Sequence, residues 1–390
     1  MTYTELLHFF FTECPEVVEA MRNADHHYDS EHLNPWHMEG DVLTHTLMVL
    51  REAEIMGVSD IVKLGCLFHD FAKPECRFAN EETKRVAMYG HEGYSAIKAI
   101  KYMKKLNLSK KDMIHLIKMI ALHTEVFRVA KPIVDESKFN RVPKAHRADA
   151  IKKEYNKKHN KILNKVIARY GYEKRLLKDL LTLGTCDHKG RFMDEERIDD
   201  SPENVEYRGQ VINEVLEYKM PKRESKEDYP CLVMLVGVPC SGKSTWSRDF
   251  LLKNEDYSLV CRDDILEELY PAETYEKSYE LAQADNKQLK VDKEFLSRIR
   301  AIVKEKKNLV VDKTNMPRKT RNSVLSISEV QKHYKKMAKV FMTDIDELNR
   351  RNEIRKEKGK FIKQSSYDRM FQAFYPPLIG EFDEVDWIIL

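Results

Sequence analysis

The chain of 390 residues holds only 7 cysteines, and no two of them stand as Cys-x-x-Cys. An odd, scattered set excludes a disulfide framework and a zinc ribbon, and free thiols suit a reducing compartment. No run of about 18 uncharged apolar residues occurs, so no membrane span is expected. Residues 1–11 carry Glu5 and His8 and lack a basic start and a small-residue cleavage site, which argues against a secretory signal. There is no internal repeat and no low-complexity tract. Together these absences predict a soluble, cytoplasmic protein with no membrane partner.

What is present is enough to build cores: hydrophobic residues make up 42% and aromatic residues 9%, beside 34% charged. The length suits two domains of ordinary size. The net charge is only +3, yet residues 141–178 hold 13 Lys or Arg against 3 Asp or Glu. Tyr155, Tyr170 and Tyr172 lie among these lysines. Such a face can bind a phosphate backbone by counterion release, although a basic run is more often a solvated helix surface.

The rhythm of the chain changes near residue 220. Before it, apolar residues recur at three- and four-residue spacing in 42–53, 61–68, 97–106, 113–122 and 162–181, which predicts an all-α domain over residues 1–219. Residues 220–230 are polar, bounded by prolines and without apolar period, and read as a linker. From 231 onward, short apolar runs (231–238, 258–261, 308–311, 338–342, 387–390) alternate with helical stretches. That alternation predicts an α/β domain with a parallel sheet over 231–390.

Gly237-Val-Pro-Cys-Ser-Gly242-Lys243-Ser244 fits the phosphate-loop pattern, directly after an apolar strand and before a helix. Glycines let the backbone N–H groups of Cys240, Ser241, Gly242 and Thr245 turn toward phosphate oxygens, and the helix dipole adds to them. Lys243 reaches the β- and γ-phosphates of ATP, and Ser244 can ligate Mg²⁺. Arg262-Asp263-Asp264 ends the next strand, where a carboxylate can take the proton of an attacking hydroxyl or can simply cap a helix. Val311-Asp312-Lys313-Thr314-Asn315 ends the following one, with Arg321 shortly after. Arg351 and Arg355, four apart, share a helix face and can clamp a transferring phosphoryl group.

The order of these pieces, with the tail Tyr367-Asp-Arg-Met-Phe-x-x-Phe-x-Pro-Pro377, resembles the polynucleotide 5′-kinase family over about the last 160 residues. The resemblance implies Asp263 as general base on a 5′-hydroxyl and Arg351 and Arg355 on ATP phosphates. Arg262, Thr314, Asn315 and Arg321 become substrate contacts. One departure concerns the acceptor: the Asp pair is followed by Ile265 and Leu266, where the phage kinase of this family has a phosphate-binding arginine.

In the first half, His45, His69-Asp70, His91, His123 and Asp187 stand in separate elements. A lone helical histidine is more often packed than ligating. Four histidines and two aspartates together suit first-row transition metals, Mn, Fe, Co, Ni or Zn. Two ions bridged by a carboxylate can activate water and steady a leaving oxygen. The order resembles that of the HD phosphohydrolase superfamily. It implies one metal held by His45, His69, Asp70 and Asp187, and a second held by His91, His123 and the bridging Asp70. The text around His37-Met-Glu-Gly-Asp-Val-Leu-Thr-His45, Phe68-His-Asp-Phe-Ala-Lys-Pro74 and Gly90-His-Glu-Gly is similar to the HD domain of bacterial CCA-adding tRNA nucleotidyltransferases. Those domains act on 2′-phosphate and 2′,3′-cyclic phosphate esters; the nucleotidyltransferase part is absent here. Lys73 is expected near the metals as a catalytic phosphate contact, and His37 close behind. His26, His27, His32, His115, His146 and His188 read as ordinary.

Joined, the halves look like a fused HD–polynucleotide kinase. This implies a bifunctional RNA end-healing enzyme acting on 5′-hydroxyl and 2′,3′-cyclic phosphate ends, with DNA as the alternative substrate and a separate RNA ligase downstream. Two rivals stand beside it. One is an HD nucleotidase fused to a nucleoside or small-molecule kinase. The other is a kinase regulated by a ligand-binding HD module.

Overall fold

The computed structural model describes residues 1–194, 202–284, 288–357 and 359–390. Its first half is helical and its second half is built on a five-stranded parallel sheet, an architecture consistent with a P-loop kinase. Among the described residues no helix is long and apolar enough to cross a membrane.

The helices Val42–Ile55, Asp60–Phe68, His91–Lys98, Lys110–Leu122 and Lys174–Lys189 pack around one another in the first half. Each buries the stripe its apolar period marks: Val42, Val49, Leu50 and Ala53 on the first, Met113, Leu116, Ile117 and Ile120 on the fourth. Local chemistry fixes their starts. Asp41 accepts from the Thr44 N–H, and Ser109 from the Asp112 N–H.

Two features depart from the sequence reading. A hairpin of β1 (Phe78–Asn80) and β2 (Arg85–Ala87) interrupts the helices. Strands of three residues with no buried face carry no period-two signal. The apolar stretch 162–181 is also two helices rather than one: Lys144–Tyr170 ends at Gly171, and the next begins at Lys174. A Cβ at Gly171 would lie 2.3 Å from Met220 Sδ, so a larger residue there would push the Met220 side chain aside.

The sheet contains β3 (Cys231–Val236), β4 (Tyr257–Cys261), β5 (Asn308–Asp312), β6 (Lys335–Met342) and β7 (Glu384–Ile389), in the order β4-β5-β3-β6-β7. β3 is central and buried on both faces. Leu232, Met234 and Val236 join the large core, whereas Val233 and Leu235 pack with Phe341 under Trp246 and Phe250 of the Lys243–Leu251 helix. The chain leaves β3 toward β4 and later returns to its other side at β6. The carboxyl end of β3 is therefore a topological switch point, where open α/β sheets place ligands.

The two halves share one core. The Gln364–Gln372 helix of the second half lies on the His91–Lys98 helix of the first. A Cβ at Gly93 would meet the Phe374 and Phe371 carbonyls at 2.6 and 2.7 Å, so these backbones touch only because residue 93 is glycine. Tyr94 donates to Asp368 at 3.0 Å. Between Glu217 and Cys231 there is neither helix nor strand, yet Arg223 donates to the carbonyls of Ile379, Phe382 and Asp383.

Candidate functional site

Two clusters of chemistry emerge, one in each half. The first is closed. His45, His69, Asp70, His123 and Asp187 are at most 1% exposed, and His91 is 9% exposed. His69 caps the Asp60–Phe68 helix with Asp70 next to it, His91 opens its own helix, His123 follows Leu122, and Asp187 lies in the last turn of Lys174–Lys189. Five elements thus aim one or two side chains each at a common point.

The orientation of the rings is set from behind. His69, His91 and His123 donate Nδ1–H to the carbonyls of Cys66, Met88 and Ile120 at 2.8, 2.7 and 2.7 Å. Glu39 Oε1 lies 2.9 Å from His45 Nδ1. With Nδ1 protonated, each Nε2 is an inward-facing lone pair, the arrangement that metal-ligating histidines adopt. His91 Nε2 and His123 Nε2 face one another at 3.3 Å. His45 Nε2, His69 Nε2 and Asp70 Oδ1 are buried without a hydrogen-bond partner, while Asp70 Oδ2 has the Lys73 ammonium at 2.7 Å. Orphaned buried acceptors are costly, and a cation among them removes the cost. The donors fall into two triads, His45–His69–Asp187 and Asp70–His91–His123, with ligand atoms in each within 4.8 Å of one another. Asp70 Oδ2 lies 3.1 Å from His69 Nε2 and Oδ1 lies 3.2 Å from His91 Nε2, so one carboxylate faces both triads. These residues fit a pair of divalent transition metals.

Burial alone would raise the carboxyls of Asp70 and Asp187. His69 and Lys73 beside the first, and Arg191 and His45 beside the second, hold both well below the ordinary range. Lys73 Nζ is 2.7 Å from Asp70 and 3.2 Å from His26 Nε2. His26 is a correction to the sequence reading. It is 3% exposed, donates Nδ1–H to the Gly40 carbonyl, stacks on His37 at 4.0 Å and accepts from Lys73. His37 shares the Glu39 carboxylate with His45 and lies behind the triads. Arg191, whose guanidinium grips Asp187 at 3.1 and 2.7 Å, was also not singled out in the sequence. Arg191 lies just past the Lys174–Lys189 helix, and its only sequence signal was a spacing of four from Asp187. His115 pairs with Asp179 at 2.8 Å, apart from the cluster.

The second cluster is open. Gly242, at φ +98°, starts the Lys243–Leu251 helix from the left-handed region that glycine favours. A Cβ at Gly237 would meet the Phe341 carbonyl at 2.9 Å. Lys243 Nζ donates to the Val238 carbonyl at 2.8 Å. Burial lowers its pKa, opposed by the carboxylates of Asp312 and Asp263. Ser244 and Thr245 are exposed on the first turn, and the Ser241 hydroxyl is buried without a partner. Arg351 donates to the Cys240 carbonyl at 3.1 Å, and Arg355 lies 3.4 Å from Cys240 Sγ. Both guanidiniums therefore reach over the loop from the Ile345–Lys356 helix. Asp263, exposed at the end of β4, accepts from Tyr275. Burial pushes the Asp312 carboxyl up to about 6, with Lys243 opposing the rise and Asp263 and Asp264 adding to it. Asp312 joins the site, although the sequence reading left it unassigned within its loop.

Two expected substrate contacts are instead structural. Arg321 is fully buried and spends its donors on Glu381 and on the carbonyls of Asn315, Met316 and Tyr375. Asn315 is also fully buried, with Nδ2 on the Leu235 carbonyl. Arg262 is tied to Asp292 and Gln288. Thr314 braces the phosphate loop through its backbone, its carbonyl accepting from Gly237 N–H at 2.9 Å.

The fold and the loop define the second half as a P-loop nucleotide-binding domain. A family model described as an AAA domain matches residues 232–377. Nothing among the curated proteins matches the chain. Among solved structures, two chains from Pnkp1/Rnl/Hen1 complexes, one described as an RNA repair complex, are each 24% identical, with TM-scores of 0.27 and 0.31. The alignments cover 32% and 38% of this chain but only 39% and 46% of theirs. A putative kinase from Chloroflexus aurantiacus is 14% identical with a TM-score of 0.32, over 41% of this chain and 85% of that one. Overlaps this slight carry no argument about what the chain does.

Proposed function

We propose that this chain heals both ends of broken RNA, with residues 231–390 as an ATP-dependent 5′-hydroxyl kinase and residues 1–219 as a metal-dependent phosphohydrolase of the HD kind. The observation that carries the reading is the coexistence, in one body with a shared core, of a phosphate loop under two arginines and a buried pair of His/Asp triads. One site suits transfer of a phosphoryl group and the other suits its removal.

In the kinase step, Lys243, Arg351 and Arg355 hold the triphosphate, with the loop N–H groups from Cys240 to Thr245. Ser244 and Asp312 would hold Mg²⁺, which neutralises charge on the β- and γ-phosphates. Asp263 takes the proton as the 5′-oxygen bonds to the γ-phosphorus, and the bond to the β-phosphate oxygen breaks. Tyr275 fixes the carboxylate's direction. In the hydrolytic step, His45, His69, Asp187, Asp70, His91 and His123 would hold two transition metals, which supply Lewis acidity and an activated water. Lys73 and Arg191 bring positive charge to the substrate phosphate. His26, neutral with Nδ1–H on a carbonyl, keeps the Lys73 ammonium aimed at the site. On a 2′,3′-cyclic end, one water oxygen bonds to phosphorus as the first ester P–O bond breaks, and a second water then releases inorganic phosphate from the remaining monoester.

The test uses two oligoribonucleotides. Label should pass from γ-labelled ATP to one with a 5′-hydroxyl. Phosphate should be lost from one ending in a 2′,3′-cyclic phosphate or a 2′-phosphate when Mn²⁺, Co²⁺, Ni²⁺ or Zn²⁺ is present. Turnover confined to nucleosides and mononucleotides would replace this reading with a metabolic one.

A further inference from the structure

We infer that the exposed face of the Lys144–Tyr170 helix is the track on which a single-stranded RNA backbone docks, an inference that rests on the proposed action on RNA ends. The helix carries 9 Lys or Arg against 2 Asp or Glu, in a chain whose net charge is only +3. Its inner side is fixed by burial of Val166, Ile167 and Tyr170 and by His159, which meets Tyr207 at 3.0 Å and Glu214 at 3.1 Å. Directly opposite, Lys153, Lys157, Lys161 and Lys165 recur every four residues, and all four are exposed. At 1.5 Å per residue the row is about 18 Å long, with about 6 Å between lysines. That step is close to the one between successive phosphates of an extended strand.

The row is left open. Among the described residues Lys153, Lys161 and Lys165 have no ion-pair partner, and Lys157 has only a loose one, Glu154 at 3.9 Å. Asn160 and Asn164 stand exposed beside it and offer hydrogen bonds to phosphate or 2′-hydroxyl oxygens. The same face has no large apolar side chain, which a helix resting on a membrane surface requires. A row one lysine wide suits one strand rather than a duplex.

The track also leads somewhere. Near its carboxyl end, Arg169 pairs with Glu125 at 2.5 Å, two residues after the metal-facing His123. Its guanidinium lies 4.7 Å above the Tyr375 ring of the second half. A strand following the lysines therefore arrives at the seam between the buried triads and the sheet domain.

The test is the salt dependence of binding to an oligouridylate carrying a 5′-phosphate and a 3′-hydroxyl, which neither site can process. Replacing all four lysines with alanine should flatten the slope of log K against log salt by about 3, since each phosphate contact contributes roughly 0.7 on a single strand. Affinity at low salt should fall tenfold or more. The four Lys→Arg changes should preserve both. Alanine suits an exposed helix, so the variant is expected to fold. Unchanged slope and affinity in the alanine variant would overturn the inference. So would loss of binding only to phosphatidylcholine–phosphatidylserine vesicles, which would assign the row to a membrane surface. A wild-type protein that processes RNA ends while the alanine variant does so with the same KM overturns the track alone. A wild-type protein that processes no RNA end overturns the functional reading, and the track with it.

Discussion

The two clusters solve opposite problems. The His/Asp triads are buried, and three of their rings are aimed by backbone carbonyls three residues earlier in the chain, so the site exists before any substrate arrives. The phosphate-loop site is open: Asp263, Ser244 and Thr245 are exposed, and Arg351 and Arg355 rest on Cys240 from a separate helix. A cluster of imidazoles and carboxylates that is to hold metal ions gains from shielding against bulk water and competing protons. A triphosphate must instead enter and leave at every turnover. The contrast says which residues in each half should tolerate change in stability and which should tolerate change in activity.

The sharpest way to break the comparison is through Asp70, the carboxylate that faces both triads. Asp70→Ala should strip both ions, read as metal per protein by mass spectrometry. Hydrolysis should fall on the order of 1,000-fold or more while ATP binding stands. Retention of two ions would mean that the triads are not joined through Asp70.

Two arginines separate a structural role from a catalytic one. Arg321→Ala leaves Glu381 buried without its partner and should cost about 3–5 kcal/mol of stability. Arg351→Ala should leave the melting temperature in place and lower phosphoryl transfer on the order of 100-fold or more. A cool-melting Arg351 variant, or an Arg321 variant altered only in KM, would reverse the assignment.

Asp312 gives a pH signature. Its folded pKa, about 6, exceeds the ordinary 3.8, so the folded protein holds a proton that the unfolded chain has released between those values. Stability from this group is therefore lost as pH rises through that window. Asp312→Asn should gain about 3 kcal/mol near pH 7 in the absence of nucleotide and about nothing near pH 3. Thermal melts at the two pH values check the sign.

The smallest effect belongs to Glu39, which lies behind His45. Glu39→Gln should weaken metal retention by about 10–100-fold, measured by competition with a chelator, without moving the kinase.

Much of this was legible in the sequence. The phosphate loop is contiguous, and its glycines and lysine act through local backbone geometry, so eight residues suffice to place it. The six side chains that meet in the two triads were readable because His69-Asp70 is adjacent and the others end or open apolar helical periods. What escaped was tertiary. His26 looks like any loop histidine until Gly40, His37 and Lys73 close around it. Arg321 looks like a free cation after a polar loop, and only the fold supplies Glu381, 60 residues away. Asp312 ends a strand as many aspartates do, and its raised pKa comes from burial beside carboxylates brought by β4. The hairpin of β1 and β2 left no pattern because neither strand buries a face.

The central claim is that two independent sites act on the two ends of one broken strand. The direct test is intact mass spectrometry of a single oligoribonucleotide bearing a 5′-hydroxyl and a 2′,3′-cyclic phosphate. It would be incubated with ATP, Mg²⁺ and Mn²⁺ and either the wild-type protein, Lys243→Ala or Asp70→Ala. The account predicts that the wild-type protein adds a 5′-phosphoryl group and removes the terminal phosphate. Lys243→Ala should lose only the gain, and Asp70→Ala only the removal. An oligonucleotide whose mass never changes, while nucleosides and mononucleotides turn over, would contradict it.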